Sequence, residues 1–482
     1  MSRDVYTDPL VGRYTSRTMQ ELFSERTRFS LWRSCWIALA EAQRELGLTD
    51  VVSAEAVAEM KAHVDDINFD VAEAFERETR HDVMAHIHAY GVQCPKAAGI
   101  IHLGATSQYV VCNSDLVIHK RAIGMVRADL VRAIDRLAVL AERHKGLAAL
   151  GATHFQPAQP VTVGKRIALT IQDLLLDLDA LEWVLPRVRA LGAKGTTGTQ
   201  ASFMALFRGD HARVEALDLL VAKKLGLDAT FEVTGQTYPR KLDTKIAEAL
   251  AGIGASAHQF GVNVRLLAGL KELDEPFGKK QVGSSAMAYK RNPMRSERMC
   301  SLARKLMNLP ADFHATHANQ WLERTLDDSA IRRMDIPQAY LLADAVLGLL
   351  ADVAGGLEVH PAAIRRRLDE ELPFMATEEI LMAAVERGAS RQEAHEVIRG
   401  HSVEVARAMK EDGKPNDLLA RLAADGRLPL TAEEICAVAC DPARFTGRAE
   451  AQVEAYLANV VRPRLAAHKE LLAQGVESRV RV

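Results

Sequence analysis

Residues 283–298, GSSAMAYKRNPMRSER, put Ser284 and Ser285 within a few positions of Lys290, Arg291, Asn292, Arg295 and Arg298, behind the lysine-rich approach GKKQ. Hydroxyls set among cations suit the handling of an anion, and Pro293 suits the first turn of a helix. The same composition fits a solvated, charged linker running into a helix, so it does not decide between the two. A serine in such a place is also a common cap or turn residue. His154, in GATHFQPAQP at 151–160, lies just before a proline-punctuated turn, and His81 sits beside Asp82. An imidazole is suited to proton transfer near neutral pH, but most of the sixteen histidines of such a chain belong to surface or core. The glycine-rich GAKGTTGT at 192–199 lacks the GxxxxGK[ST] order and follows a helical pattern where a phosphate loop would follow a strand. It reads as a turn between helices.

These residues need rigid elements behind them. Residues 113–145 run without proline and with one glycine, with apolar residues every three or four positions, which predicts one long helix. The pattern repeats over 161–185, until Pro186, and over 240–273. A fourth helix is expected after Pro293, and a fifth from near Leu326 with a kink at Pro337. Shorter helical patterns occupy the first 110 residues, with Gly47 as a stop, and the stretch after His360 is broken by DGKPND and GRLPL. Sustained alternation is nearly absent and aromatics make up only 5%, so strands are not expected. The expected fold is all-α, in three units: an N-terminal helical domain at 1–111, a central long-helix bundle at 112–364 and a C-terminal helical domain at 365–482. Long helices need partners for their apolar faces, which makes a homo-oligomer sharing helices the expected state.

Composition narrows the function. With 482 residues, 48% hydrophobic and 26% charged, the chain can bury a large core, which excludes a disordered or fibrous protein. Sixty-one Lys and Arg against 63 Asp and Glu leave a net charge of -2, so no global field attracts nucleic acid or membrane. The N-terminus has no signal-like pattern and no apolar window approaches a membrane span, so a cytoplasmic location is expected. Six cysteines without CxxC spacing indicate neither a zinc site nor a disulfide framework. Cys436 and Cys440, on one helical face without a nearby histidine, read as small core residues.

The order of residues is more specific than their composition. GSSAMAYKRNPMRSE resembles the signature loop of the fumarase, aspartase and argininosuccinate lyase superfamily, and is closest to its adenylosuccinate lyase family. TRHDVMAH at 79–86, HLGATSQ at 102–108, GATHFQPAQP, GAKGTTGTQASF at 192–203, TGQTYPRK at 234–241 and WLERTLDDSAIRR at 321–333 resemble that family in the same order, as do the later LPFMATEEILMAAV and FTGRA. One departure is Ala288, where most members carry proline after the loop methionine; the chemistry does not require that proline.

The resemblance implies a β-elimination that breaks a C–N bond and releases fumarate, with no cofactor or metal ion. Such a reaction needs a base for the proton beside a carboxylate, an acid for the departing nitrogen, and cations for the developing charge. By the same resemblance Ser284 is the base, with Ser285 the other candidate, and Lys290 is the cation beside it. His154 is the acid, with Glu297 the carboxylate that orients it, and His81 supports the acid or binds phosphate. The implied substrate-binding residues are Arg13, Tyr14, Arg80, His81, Asp82, Thr106, Ser107, Gln236, Lys290, Asn292, Arg298, Arg324, Ser329 and Arg333. Several of these arginines have an alternative as structural partners of Glu323, Asp327 or Asp328. The implied substrates are adenylosuccinate, giving AMP, and succinylaminoimidazole carboxamide ribotide (SAICAR), giving AICAR. The implied assembly is a homotetramer whose active sites are shared between subunits. An argininosuccinate lyase, a cycloisomerase of the same superfamily and a non-catalytic helical scaffold are the alternatives; Arg13, Arg80 and Arg324 separate the first two from the leading reading.

Overall fold

The computed structural model describes residues 4–439 and 441–473. It opens with five helices, α1 (Arg17–Leu22), α2 (Glu25–Glu45), α3 (Ala54–Ala62), α4 (Phe69–Thr79) and α5 (Asp82–Gln93). The sequence starts the first four with a capping side chain: Ser16, Ser24, Ser53 and Asn68 each accept the amide of the residue three positions on. Each cap contributes about 1 kcal/mol.

The centre is a bundle of long helices. α6 (Ser107–Arg143), α7 (Val163–Val184), α10 (Lys241–Gly269), α11 (Met294–Asn308) and α13 (Asp328–Gly356) are the five long patterns of the sequence, and α13 runs unbroken through Pro337. Between them come α8 (Ala201–Leu206), α9 (His211–Lys224) and α12 (Pro310–Ala318). Leu116, Ile123, Leu130 and Leu137, seven residues apart on α6, are fully buried, and each contributes roughly 1.5–3 kcal/mol by leaving water. α6 and α13 lie side by side and point the same way, since Asp115, His119 and Arg136 meet Arg332, Tyr340 and Ala351 in order. α7 enters so close to α6 that a Cβ on Gly164 would fall 2.5 Å from the Ala141 carbonyl oxygen; Gly164→Ala would force the helices apart. α13 is long and apolar enough to span a membrane, but its apolar window is mostly buried inside the bundle, as a core helix is.

Two departures from the sequence reading concern strands and a cysteine. β1 (Ala148–Thr153) and β2 (Gln156–Thr162) form an antiparallel hairpin between α6 and α7, bulged at 149–151. β3 (Leu273–Asp274) pairs with β4 (Glu358–Val359), tying the end of α10 to the end of α13. Past α14 (Pro361–Met375), α15 (Thr377–Glu386), α16 (Arg391–Asp412) and α17 (Leu418–Ala424) build a separate apolar cluster around Ile380, Ile398, Leu418 and Leu422, whereas Val453, Leu457 and Val461 return to the main core. Cys436 is exposed rather than part of a core, because its helical segment (Ala432–Ala439) turns Ile435 inward instead; Cys440 lies outside the described residues. Cys35, Cys94, Cys112 and Cys300 are buried thiols.

Candidate active site

The N-terminal ends of α5, α6 and α13 converge on a cleft of about 590 Å³. Its walls carry Arg80, His81, Asp82, Ser107, Arg324, Ser329 and Arg333, seven of the residues singled out in the sequence. Arg80 ends α4 in the left-handed conformation (φ 53°), a conformation that breaks the helix and turns the chain into the cleft. His81 then caps α5: its Nδ1 accepts the Met84 amide at 3.4 Å, which leaves the proton of a neutral ring on Nε2. Arg333 donates to Asp82 at 2.6 Å, and Arg324 donates to Asp328 at 2.5 Å. Arg324 therefore has a carboxylate partner of the salt-bridge alternative, whereas Arg333 pairs with Asp82 instead, and both still line the cleft. Six arginines against four carboxylates leave the cleft positive, which suits an anionic ligand.

Below the cleft lies a buried polar floor that sequence reasoning missed. Arg332 donates to Asp243 at 2.9 Å and to Asp115 at 3.1 Å, and it also bonds the Tyr238 hydroxyl. Tyr238 donates to Asp243 at 2.7 Å, and His119 joins Tyr340 at 2.8 Å. Arg240 donates to Asp328 at 2.7 Å and its guanidinium lies 4.5 Å from the Tyr238 ring centre. Burial by itself would push the Asp243 carboxyl up, but Arg332, His119 and Arg240 outweigh it and hold it well below the usual carboxylate range. One signal was legible: residues 324, 328 and 332 recur every four positions, the spacing of a single helical stripe.

The signature loop sits at the opposite end of the bundle, between β3 and α11. Ser284 Oγ accepts the amides of Ala286 at 3.3 Å and Met287 at 3.1 Å, so two N–H dipoles converge on one hydroxyl oxygen. Asn292 donates from Nδ2 to the Gly283 carbonyl at 2.8 Å and closes the loop on itself. Arg291 bonds both oxygens of Glu358 and leans on Asp274, anchoring the loop base to β3 and β4. Asp274, Glu358 and His360 gather ligand atoms within 4.8 Å of one another, but the Arg291 guanidinium already satisfies both acids. Where α11 starts, Glu275 replaces a cap: it accepts the amides of Arg295 and Ser296 at 2.8 and 2.9 Å. Ser285 and Lys290 are exposed, as is Glu297 in the first turn of α11.

His154 occupies the tip of the hairpin. With Phe155 it forms a two-residue turn in which both residues have positive φ, 53° and 58°. Both side chains are exposed. Among the described residues His154 and Glu297 form no hydrogen bond or ion pair with each other. The other residues singled out fall nearby or between. Arg13 and Arg298 flank the Tyr14 ring at 5.9 and 5.5 Å. Gln236 is held by its amide on the Glu323 carbonyl at 3.0 Å, just before Arg324, and Thr106 precedes α6 at the cleft rim. Gly198 of the glycine-rich turn packs on this segment, since a Cβ there would meet the Thr234 carbonyl oxygen at 1.9 Å.

Comparison with known proteins agrees with the sequence reading. Residues 1–308 match the family model described as Lyase, and residues 373–456 match the one described as Adenylosuccinate lyase C-terminus. The chain is 52% identical over 456 residues to the adenylosuccinate lyase of Saccharomyces cerevisiae, covering 94% of each protein. It is 47% identical over 471 residues to that of Schizosaccharomyces pombe, covering 97% of each. Among solved structures, 3-carboxy-cis,cis-muconate lactonizing enzyme from Pseudomonas putida superimposes with a TM-score of 0.80 at 24% identity, over 97% of this chain and all of the other. That likeness shows the fold.

Proposed function

We propose the reaction from a fixed premise: this chain belongs to the adenylosuccinate lyase family, and it is a lyase. The reaction is the β-elimination of fumarate from adenylosuccinate to give AMP, and from SAICAR to give AICAR, in purine nucleotide synthesis. The observation that carries the reading is the pair of N–H donors on Ser284 Oγ. A serine hydroxyl is too weak a base at neutral pH unless its alkoxide is stabilised, and two convergent dipoles with Lys290 in the same loop supply that. Ser284 takes the proton from the carbon beside a carboxylate, the C–N electron pair leaves with the nitrogen, and His154 gives that nitrogen its proton. The arginines of the cleft bind the charged ends of the substrate, with Arg13, Tyr14, Arg298, Gln236 and Asn292 completing the pocket.

The geometry also bears on assembly. The cleft sits where α6 and α13 begin, and the loop and the hairpin sit where they end. Thirty-seven residues of α6 span about 55 Å, and a six-residue strand returns at most about 20 Å, so His154 and the cleft of one chain lie at least about 30 Å apart. A single nucleotide substrate does not bridge that gap. We therefore place each active site between subunits of a homotetramer, with cleft, hairpin and loop drawn from different chains. The five cysteines among the described residues are free thiols, which fits a reducing, cytoplasmic setting. Loss of absorbance on mixing the purified protein with adenylosuccinate, with argininosuccinate as control, tests the reaction; turnover of the control alone would transfer the chain to a sister lyase.

A further inference from the structure

Asp328 is the first residue of α13 and is 1% exposed in its side chain. One of its oxygens accepts from Arg324 at 2.5 Å and the other accepts from Arg240 at 2.7 Å. Arg240 is as buried as Asp328, whereas Arg324 retains 15% exposure and lines the cleft. Asp327 precedes the helix and is exposed, so of the carboxylates near Arg324 in sequence it is Asp328 that holds it. We infer that Asp328 is a positioning residue, gripped by Arg240, which fixes the Arg324 guanidinium in the cleft for an anionic group of the substrate. The inference rests on the reaction proposed above.

A carboxylate shared by two guanidiniums leaves the group of three positive, unlike the neutral pair a structural salt bridge makes. Neighbouring Arg332 is engaged by Asp243 and Asp115, which outnumber it, so it does not compete for Asp328 and the excess positive charge sits on the Arg240–Arg324 side. The Arg240 Nη1 is buried and, among the described residues, has no hydrogen-bond partner. A buried positive group with an unmet donor beside an open cleft is stabilised when an anion enters, and a phosphate or a succinyl carboxylate supplies one. Asp328 is itself fixed by two charge-assisted bonds and by its place at a helix N-terminus, so Arg324 is ordered before the substrate arrives.

The test compares Asp328→Asn, the charge-neutral double variant Arg240→Met with Asp328→Leu, and Arg324→Ala. For each, kcat and KM for adenylosuccinate are measured, with inhibition by AMP and by fumarate. The double variant keeps an apolar, well-filled floor if the single one does not fold. The expected result is a KM raised about tenfold or more with kcat within about threefold, the size of one lost charge-assisted contact. Inhibition should weaken by a similar factor for one inhibitor only, AMP if the anion is the phosphate and fumarate if it is a carboxylate. Asp328→Asn should add little in the Arg324→Ala background, since both remove one contact. Equal weakening of both inhibitors, an unchanged KM, or additive losses would each overturn the assignment. Wild-type turnover measured alongside separates the two proposals: its absence counts against the reaction, and its presence with unaltered inhibition in the variants counts against the role of Asp328.

Discussion

The cleft at the start of α13 and the hairpin tip at His154 are built on opposite terms. In the cleft Arg240, Arg324, Arg332 and Arg333 are each paired with a carboxylate, and the floor beneath it is buried, so these side chains are ordered within one chain. At the hairpin tip the imidazole is exposed and holds no bond to its expected partner Glu297. Ser284 lies between these extremes, held by two amides on a loop whose Lys290 is exposed. On the function proposed above, the contrast is a division of labour: the proposed binding groups are preorganised inside a protomer, and the proposed proton-transfer groups are displayed outward for another protomer to complete.

The sharpest way to break this contrast is at the loop. Ser284→Ala should lower kcat by about 10²–10⁴ while KM stays within about threefold, because the hydroxyl acts on the transferred proton. Retention of more than about a tenth of wild-type kcat would move the role to Ser285. His154→Gln should cost about a hundredfold and remove one limb of the rate–pH profile; an unchanged profile would point to another proton donor. Neither variant should be beyond rescue, since each supplies the group the other lacks. Denatured together in equal amounts and refolded, they should return toward about a quarter of wild-type activity, as each site draws an intact serine and an intact histidine with probability of about one half. Hybrid tetramers as inactive as the separate variants would place both groups on one chain. Arg324→Ala tests the other side: KM should rise about tenfold or more while the melting temperature shifts by only a few degrees. A fall in melting temperature that matches the loss of affinity would make Arg324 a structural partner of Asp328.

The smallest effect concerns pH and lies in the paired, buried half. His86 is stacked on Phe29 at 3.8 Å, and burial, with Arg33 adding to it, lowers its pKa to about 4. The unfolded chain therefore binds a proton more readily than the folded one between about pH 4 and 6.5, so this group's contribution is lost as pH falls through that window, by at most about 3 kcal/mol. Asp177, between α7 and α10 with Ser256 on it, has the opposite sign: burial raises it to about 6, and its contribution is lost as pH rises toward that value. Urea midpoints of His86→Gln and wild type between pH 4 and 7 should converge at the acid end; parallel curves would sink the assignment.

The long helices were legible because apolar residues at helical spacing and a stopping proline leave one solution: 161–185 became α7 within two residues at each end, and 113–145 covers all of α6 but its beginning, which starts earlier at Ser107. The hairpin was not, because AALGATHFQPAQPVT has little alternation, carries Pro157 and Pro160, and turns on His-Phe instead of Asn-Gly. The seven cleft residues were legible through family resemblance, and the structure brings them together. The floor was not, since Arg240, Arg332 and Asp243 are polar residues that only tertiary burial distinguishes from a solvated helix face.

The turn at His154 and Phe155 sets a limit on how far this chain can be improved as a folded object. Two side-chain-bearing residues in the left-handed region each strain the backbone by about 1 kcal/mol, and Asn-Gly at the same positions would relieve it. A redesign guided by melting temperature alone would select that replacement early and discard the proposed proton donor with it. With His154 as the proposed donor, thermostability and turnover pull apart at the hairpin, and a library screened for both should leave His154 untouched while varying its neighbours on β1 and β2.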